Sequence, residues 1–203
     1  MSILERAAET LRIDGRRVEI WNAPRHIPIL LRADCLVAPV APDLRMVTGA
    51  SKLARDFGAD RIQREAERVA PLEPGSALLG AGARYRFRWT ALAVIFDENM
   101  TTNAQLVQRG LVAAADGAYR QHARSVILPD LTAHLCPSPN WLRPEQRAEF
   151  AELSARILAA TVREIGERMQ TVRIWLWDAD SAGLVTAALH RHADGTHGAV
   201  VHA

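Results

Sequence analysis

Apolar positions recur along the chain with two different periods, one typical of β-strands and the other typical of α-helices. Short apolar runs predict strands at 18–21, 34–38, 76–79, 86–89, 90–96, 125–128 and 172–177. Apolar stripes spaced by three or four residues predict helices at 51–69, 102–122, 145–169 and 179–190. The first of these helices is expected to break at Phe57-Gly58.

The two ends of the chain have patterns of their own. Residues 2–13 show helical spacing, so we expect residues 1–14 to form an N-terminal helical extension that ends at the turn Asp14-Gly15. Residues 191–203 are rich in histidine and are expected to form a tail. A length of 203 residues suits one domain, so we treat residues 1–203 as a single domain.

The order of the predicted elements indicates an α/β fold. Strands that alternate with helices of ten or more residues favour a mostly parallel sheet that is covered by helices on both faces. In such sheets a ligand binds at the carboxyl ends of the strands. The segments to inspect for chemistry are therefore the loops that follow Trp21, Ala38, Leu79, Phe96, Leu128 and Trp177.

Composition restricts the class of protein further. Hydrophobic residues make up 49% and charged residues 24%, and the formal net charge is +2, so we expect a globular protein without the strong basic field of nucleic-acid binders. Two cysteines are too few for a disulfide framework, and the N-terminus lacks the apolar core of a signal peptide. We therefore expect a soluble, cytoplasmic protein. Only Lys52 among its 25 basic residues is a lysine.

Several segments, in order, resemble the macro domain family. Residues 33–41 are similar to the family's strand "VDAIVNAAN" and lead into a loop around Gly49 and then a helix. Residues 125–134 are similar to the strand and loop "SIAFPAISTG", and residues 174–178 to a closing strand that ends in an aromatic residue and aspartate. The loop motif Asp43-Leu44-Arg45-Met46 is closest to the terminal ADP-ribose protein glycohydrolase branch. The resemblance implies a three-layer α/β/α fold with a mixed, mostly parallel sheet.

The resemblance also implies a cleft for ADP-ribose or a related NAD-derived nucleotide. The family's adenine-reading position falls on Asn22, followed by Ala23, and its adenine-stacking position falls on Trp177. Asn22 could equally be a turn residue, and Trp177 a packing residue. The phosphate loops carry over to two sets of residues, namely Val47, Thr48, Gly49, Ala50 and Ser51, and Thr132, Ala133, His134, Leu135 and Cys136. The second set has His134 where the family has a glycine.

The residues that would perform hydrolysis depart from the family pattern. Hydrolytic macro domains carry asparagines in "NAAN", and those positions are Ala38 and Ala41 here. The glycohydrolase branch uses a lysine and an aspartate, for which Lys52 and Asp130 are the catalytic candidates. Alanine cannot orient water, so we favour binding with weak or absent hydrolysis.

Two alternatives to this function remain open. One is an ADP-ribosyl hydrolase with non-standard catalytic residues. The other is a degenerate macro domain that serves as a protein or RNA interaction module. A cleft filled by Arg45, Met46 and His134 would favour the module.

Partners follow from the leading hypothesis. We expect a small nucleotide or an ADP-ribosylated macromolecule as the ligand, and neither a membrane, a nucleic acid, a separate cofactor nor a metal. Four histidines near the C-terminus could bind a transition metal, but a solvated tail explains them as well: His190, His192, His197 and His202.

Overall fold

The computed structural model describes residues 8–22, 33–47, 49–56, 60–82, 87–135 and 143–193. Its strands are β1 (Ala8–Ile13), β2 (Arg16–Asn22), β3 (Ala33–Val40), β4 (Ala77–Ala81), β5 (Phe87–Val94), β6 (Ser125–Pro129) and β7 (Thr171–Leu176). Its helices are α1 (Gly49–Asp56), α2 (Asp60–Val69), α3 (Ala104–Arg120), α4 (Thr132–Leu135), α5 (Pro144–Ile165) and α6 (Ala179–Ala193).

The strands form one sheet in the order β1-β2-β7-β6-β3-β5-β4. The five inner strands, β2, β7, β6, β3 and β5, are parallel to one another. The two edge strands, β1 and β4, pair antiparallel with their neighbours. The sheet is therefore mixed and mostly parallel, which confirms the predicted fold class.

The two faces of the sheet belong to different hydrophobic clusters. Along β3, Cys35 and Val37 pack into a cluster that includes residues of α3, α5 and α6, whereas Leu36 and Ala38 pack with α1 and α2. Successive side chains of a strand point to opposite faces, so a run that is apolar at every position suits a strand covered on both sides. The result is a three-layer α/β/α arrangement.

The helical prediction for the N-terminal segment is wrong over residues 8–13. These residues form β1, which pairs with β2 through a two-residue turn at Asp14-Gly15, where both residues have positive φ. Leu11 and Ile13 are buried two positions apart, so the segment alternates as a strand does. Asp-Gly between apolar runs is a strong hairpin signal, and the turn therefore joins two strands. Residues 1–7 lie outside the described residues.

The other predicted elements are confirmed, with differences at their ends. The break in the helix at 51–69 separates α1 from α2, although Phe57-Gly58 itself lies outside the described residues. The two strands predicted at 86–89 and 90–96 form one strand, β5. The helix α6 continues to Ala193, so the first residues of the expected tail are helical. Of the helices that the structure describes, none is long and apolar enough to cross a membrane.

Candidate functional site

Three loops converge at the carboxyl edge of the sheet. They follow β3, β6 and β7, which are parallel neighbours, so their ends lie at the same side of the sheet. The loop after β3 leads into α1, the loop after β6 leads into the single turn α4, and β7 is followed by Trp177. The parallel order of these strands therefore brings distant parts of the sequence together at one place.

Gly49 marks the point where these loops meet. It is the first residue of α1 and has a φ of 52°, a conformation that favours glycine. A Cβ at this position would lie 3.5 Å from Cε1 and Nε2 of His134 and 3.6 Å from the indole of Trp177. A side chain at this position would thus be in ordinary van der Waals contact with both rings, and it is the positive φ that favours glycine here.

Aromatic rings surround this point. The rings of His134 and Trp177 meet edge to face, with centroids 5.9 Å apart, and the rings of Phe96 and His134 also meet edge to face, with centroids 6.3 Å apart. Trp177 also packs against Trp175 at 5.1 Å. Trp175 is 1% exposed and Trp177 is 9% exposed, so both indole rings pack into the core. The burial of Trp177 supports its packing role, and the adenine-stacking role stays a prediction.

The imidazole of His134 is held in a low-polarity setting. Its main-chain N–H donates to the carbonyl oxygen of Leu131 at 2.9 Å, which fixes the turn α4. Its Nε2 atom is buried and makes no hydrogen bond to any residue that the structure describes. Burial lowers the pKa of His134 to about 4, so the ring is neutral at physiological pH. His134 therefore brings an unsatisfied polar atom to the point where the loops meet.

Asp130 lies directly after β6 and is completely buried. Its Oδ1 accepts a hydrogen bond from the main-chain N–H of Thr132 at 2.9 Å, and its own N–H donates to Trp175 at 2.8 Å. Its Oδ2 makes no hydrogen bond to any described residue. Burial raises the pKa of Asp130 to about 6, and the negative charge of Asp178 adds to the increase. The carboxyl group is therefore easier to protonate than an ordinary aspartate.

Lys52 does not pair with Asp130 in this structure. Its ammonium group bonds to the carboxylate of Asp56, one helical turn further along α1, on the exposed side of the helix. Arg55 also contacts Asp56, at 3.7 Å. The predicted catalytic pair is thus divided between an exposed ion pair and a buried carboxyl group.

The remaining predicted binding residues are distributed around Gly49. Ala50 and Ser51 are buried in the first turn of α1, and Val47 before it is 55% exposed. In α4, Thr132 and Leu135 are buried and Ala133 is partly buried. Asn22 is exposed at the end of β2 and lies opposite Leu176 of β7. Ala23, Thr48 and Cys136 lie outside the described residues.

The side chains expected to fill a degenerate cleft behave differently from one another. Met46 is fully buried in the core cluster that includes α1, and Arg45 is exposed and pairs with Asp43 at 3.5 Å. His134 lies against Gly49. Sequence reasoning did not select Phe96 for the site, although it directly follows an apolar strand and its loop lies at the carboxyl edge.

The histidines near the C-terminus have carboxylate partners on the neighbouring elements. His190 contacts Glu9 of β1, and His192 contacts Glu152 of α5 at 2.7 Å. Within the described ranges no group of three or more histidine, cysteine or acidic residues is arranged to hold a metal ion. His197 and His202 lie outside those ranges.

The fold of this chain is similar to that of solved macrodomain structures. A macrodomain of Oceanobacillus iheyensis with ADP has a TM-score of 0.72 to this chain, covers 93% of it and 98% of its own length, and is 13% identical. A macrodomain of Trypanosoma brucei in complex with ADP-ribose has a TM-score of 0.65, covers 85% of this chain and 68% of its own length, and is 11% identical. The chain therefore has the macrodomain fold. In sequence, no protein-family model and no curated protein matches it.

Proposed function

We propose that this protein binds ADP-ribose or a related adenine nucleotide at the carboxyl edge of the sheet. The observation that carries the proposal is the convergence of Gly49, His134 and Trp177 at the first turn of α1. The macrodomains with which the chain shares its fold include one with ADP and one in complex with ADP-ribose. A glycine at a helix N-terminus lets main-chain N–H groups approach a phosphate, and the helix dipole favours its negative charge.

The parts of the nucleotide would lie along the ends of β2, β7 and β3. Asn22 ends β2 beside Leu176 of β7, one residue before Trp177. Its amide can both donate to and accept from an adenine edge, while the indole edge of Trp177 packs against the base. The diphosphate would then reach the first turn of α1. In this proposal the exposed Asn22 forms hydrogen bonds to the adenine base, and Trp177 packs against the base.

We propose that hydrolysis is weak or absent. Ala38 is buried and Ala41 is only partly exposed, and neither side chain can orient a water molecule. The ammonium group of Lys52 is held by Asp56. Efficient hydrolysis would need a nucleophile or base within hydrogen-bond reach of the ribose, and these residues do not supply one together. A hydrolase with other catalytic residues, the terminal glycohydrolase branch included, remains the alternative that an activity assay addresses.

The ligand proposal is tested by calorimetric titration of the purified protein with ADP-ribose, with AMP and NAD as comparison ligands. We expect micromolar binding of ADP-ribose and weaker binding of AMP, because AMP lacks the second phosphate. The variant Asn22→Ala should bind ADP-ribose about tenfold more weakly, since it loses hydrogen bonds to the base.

The matched control is Gln170→Ala, which removes an exposed amide at the opposite end of β7. We expect it to bind like the wild type. Equal affinity of the Asn22 variant and the wild type would contradict the assignment of the adenine end. Release of ADP-ribose from an ADP-ribosylated protein substrate at a rate typical of enzymes would contradict weak hydrolysis.

A further inference from the structure

The tip of the His134 side chain faces the start of α1. Its Cε1 and Nε2 atoms are equally close, at 3.5 Å, to the position of a Cβ on Gly49. The Nε2 atom is buried and makes no hydrogen bond to any described residue. Most buried polar atoms in folded proteins have a partner, and one without a partner is destabilising unless a ligand or water supplies it. Nε2 is therefore open to a hydrogen-bond partner at the start of α1, and it donates to an acceptor there when it carries the ring proton.

The first turn of α1 also needs hydrogen-bond acceptors. The first N–H groups of a helix have no partner within the helix, and they carry the positive end of its dipole. The first turn of α1 contains no acidic side chain. An anion beside Gly49 would accept hydrogen bonds from this turn and from His134 at once.

The surroundings of the imidazole strengthen such a bond. The rings packed around it belong to Phe96 and Trp177, and both are uncharged. The charged or titratable residues of the same segments are Asp97, Asp130, Asp178, Lys52, Arg55 and Asp56, and Lys52 and Arg55 are already paired with Asp56. A hydrogen bond from a ring N–H to an ionised oxygen is stronger in such a low-polarity setting than in water.

We propose that the Nε2–H group of His134 donates a hydrogen bond to a phosphate oxygen of the bound nucleotide beside the first turn of α1. The inference rests on the proposed function and names the side chain that makes the cleft select a phosphate-bearing ligand. In the neutral imidazole one ring nitrogen is a donor, so the bond forms without a change in the charge of the protein.

Two variants of His134 test this role, with ADP-ribose and ADP as the ligands in calorimetric titrations. His134→Gln places an amide N–H at a similar reach, whereas His134→Phe keeps a ring against Trp177 and removes the donor. We expect the glutamine variant to bind within about threefold of the wild type and the phenylalanine variant about tenfold more weakly. Thermal unfolding of each variant, measured in parallel, establishes that the fold is intact.

The outcomes separate this inference from the function on which it rests. Wild-type affinity in His134→Phe, or equal losses in two folded variants, would overturn the role of Nε2 as a donor and leave nucleotide binding intact. Tighter binding by both variants would overturn it too, because the ring would then obstruct the ligand. A wild-type protein that binds neither ADP-ribose nor ADP at millimolar concentration would overturn the proposed function and this inference together.

Discussion

Two aspartates, at opposite ends of the strand pair β3 and β6, differ in how their carboxyl groups are satisfied. Asp34, at the amino edge, accepts hydrogen bonds from the main-chain N–H groups of Arg124 and Ser125, at 2.8 and 2.9 Å, and from the hydroxyl of Ser125 at 2.9 Å. Burial alone would raise its pKa, but these hydrogen bonds lower it below the ordinary value. Asp130, at the carboxyl edge, receives one such bond, and its pKa is raised to about 6.

The difference separates the two edges of the sheet by how far the carboxyl groups there are satisfied. At the amino edge the charged groups of β2, β3 and β7 have partners, since Arg173 pairs with Glu19 at 2.8 Å and Asp34 joins β3 to β6, although Nε1 of Trp89 in β5 has no partner among the described residues. At the carboxyl edge, Asp130 and His134 each keep a buried polar atom that has no hydrogen-bond partner among the described residues. Unsatisfied buried groups with shifted pKa values are typical of sites that bind or react. The proposed nucleotide site therefore lies at the edge where these two titratable groups are less fully satisfied.

The largest effect is expected from Trp177→Ala, at the carboxyl edge. The ring is buried against Trp175 and His134, so its removal should lower the free energy of unfolding by about 4 kcal/mol. Denaturant titration measures the loss. Trp177→Phe keeps an aromatic ring in place and should retain most of the stability and the affinity for ADP-ribose. An alanine variant as stable as the wild type would show that the indole does not belong to the core.

The variant Asp34→Ala tests the role of the amino edge of the sheet. It leaves two main-chain N–H groups and a hydroxyl without an acceptor, so we expect the free energy of unfolding to fall by about 3 kcal/mol. The affinity for ADP-ribose, measured well below the melting temperature, should not change. Asp34→Asn keeps an acceptor oxygen and should lose less stability. A large loss of affinity in a folded Asp34 variant would contradict the division between the two edges.

The pH dependence of stability tests the two unsatisfied groups directly. The contribution of Asp130 is present at low pH and is lost as the pH rises through about 6, because its pKa is raised. The contribution of His134 is present above its ordinary pKa and is lost as the pH falls toward about 4, because its pKa is lowered. The two contributions change with pH in opposite directions, so the free energy of unfolding of the wild type should change little between about pH 4.5 and 7.

Substituting Asp130 or His134 should reveal how the remaining residue alone makes the free energy of unfolding depend on pH. We expect the free energy of unfolding of Asp130→Asn to rise by about 2 kcal/mol from about pH 4.5 to 7, and that of His134→Gln to fall by about 2 kcal/mol. Denaturant titrations at several pH values provide the measurement. Profiles of both variants that run parallel to the wild-type profile would contradict the shifted pKa values.

The smallest effect is expected from Lys52→Ala. The Lys52–Asp56 pair is exposed, and water and salt screen it, so neither the stability nor the affinity for ADP-ribose should change measurably. The test is a comparison of ADP-ribose release from a modified protein by the variant and by the wild type, alongside thermal unfolding. A measurable wild-type activity that disappears in this variant would restore Lys52 as a catalytic residue.

Much of the carboxyl edge could be predicted from the sequence because it depends on local pattern. Strands that are apolar at every position, such as residues 34–38, indicate a buried parallel sheet, and this restricts the site to the loops after the strands. Gly49 and His134 were found in those loops. The i,i+4 spacing of Lys52 and Asp56 was also readable as a helical ion pair, which would have argued against Lys52 as a nucleophile.

The features that could not be predicted depend on contacts between distant parts of the chain. Residues 8–13 are too few for their period to separate a helix from a strand, and β1 becomes a strand because Leu11 and Ile13 pack onto the domain. The burial of Asp130 and the contact between Phe96 and His134 arise only when β5, β6 and β7 assemble. No local pattern in the sequence reports either one.

The most direct test of the central claim is an NMR titration of the wild type with ADP-ribose that follows main-chain amide and tryptophan indole resonances. The division between the two edges predicts that Gly49, His134 and the indole of Trp177 shift together. The amides of Arg124 and Ser125 at the amino edge should stay in place. Shifts confined to the amino edge, or none at millimolar ligand, would contradict a nucleotide cleft at the carboxyl edge.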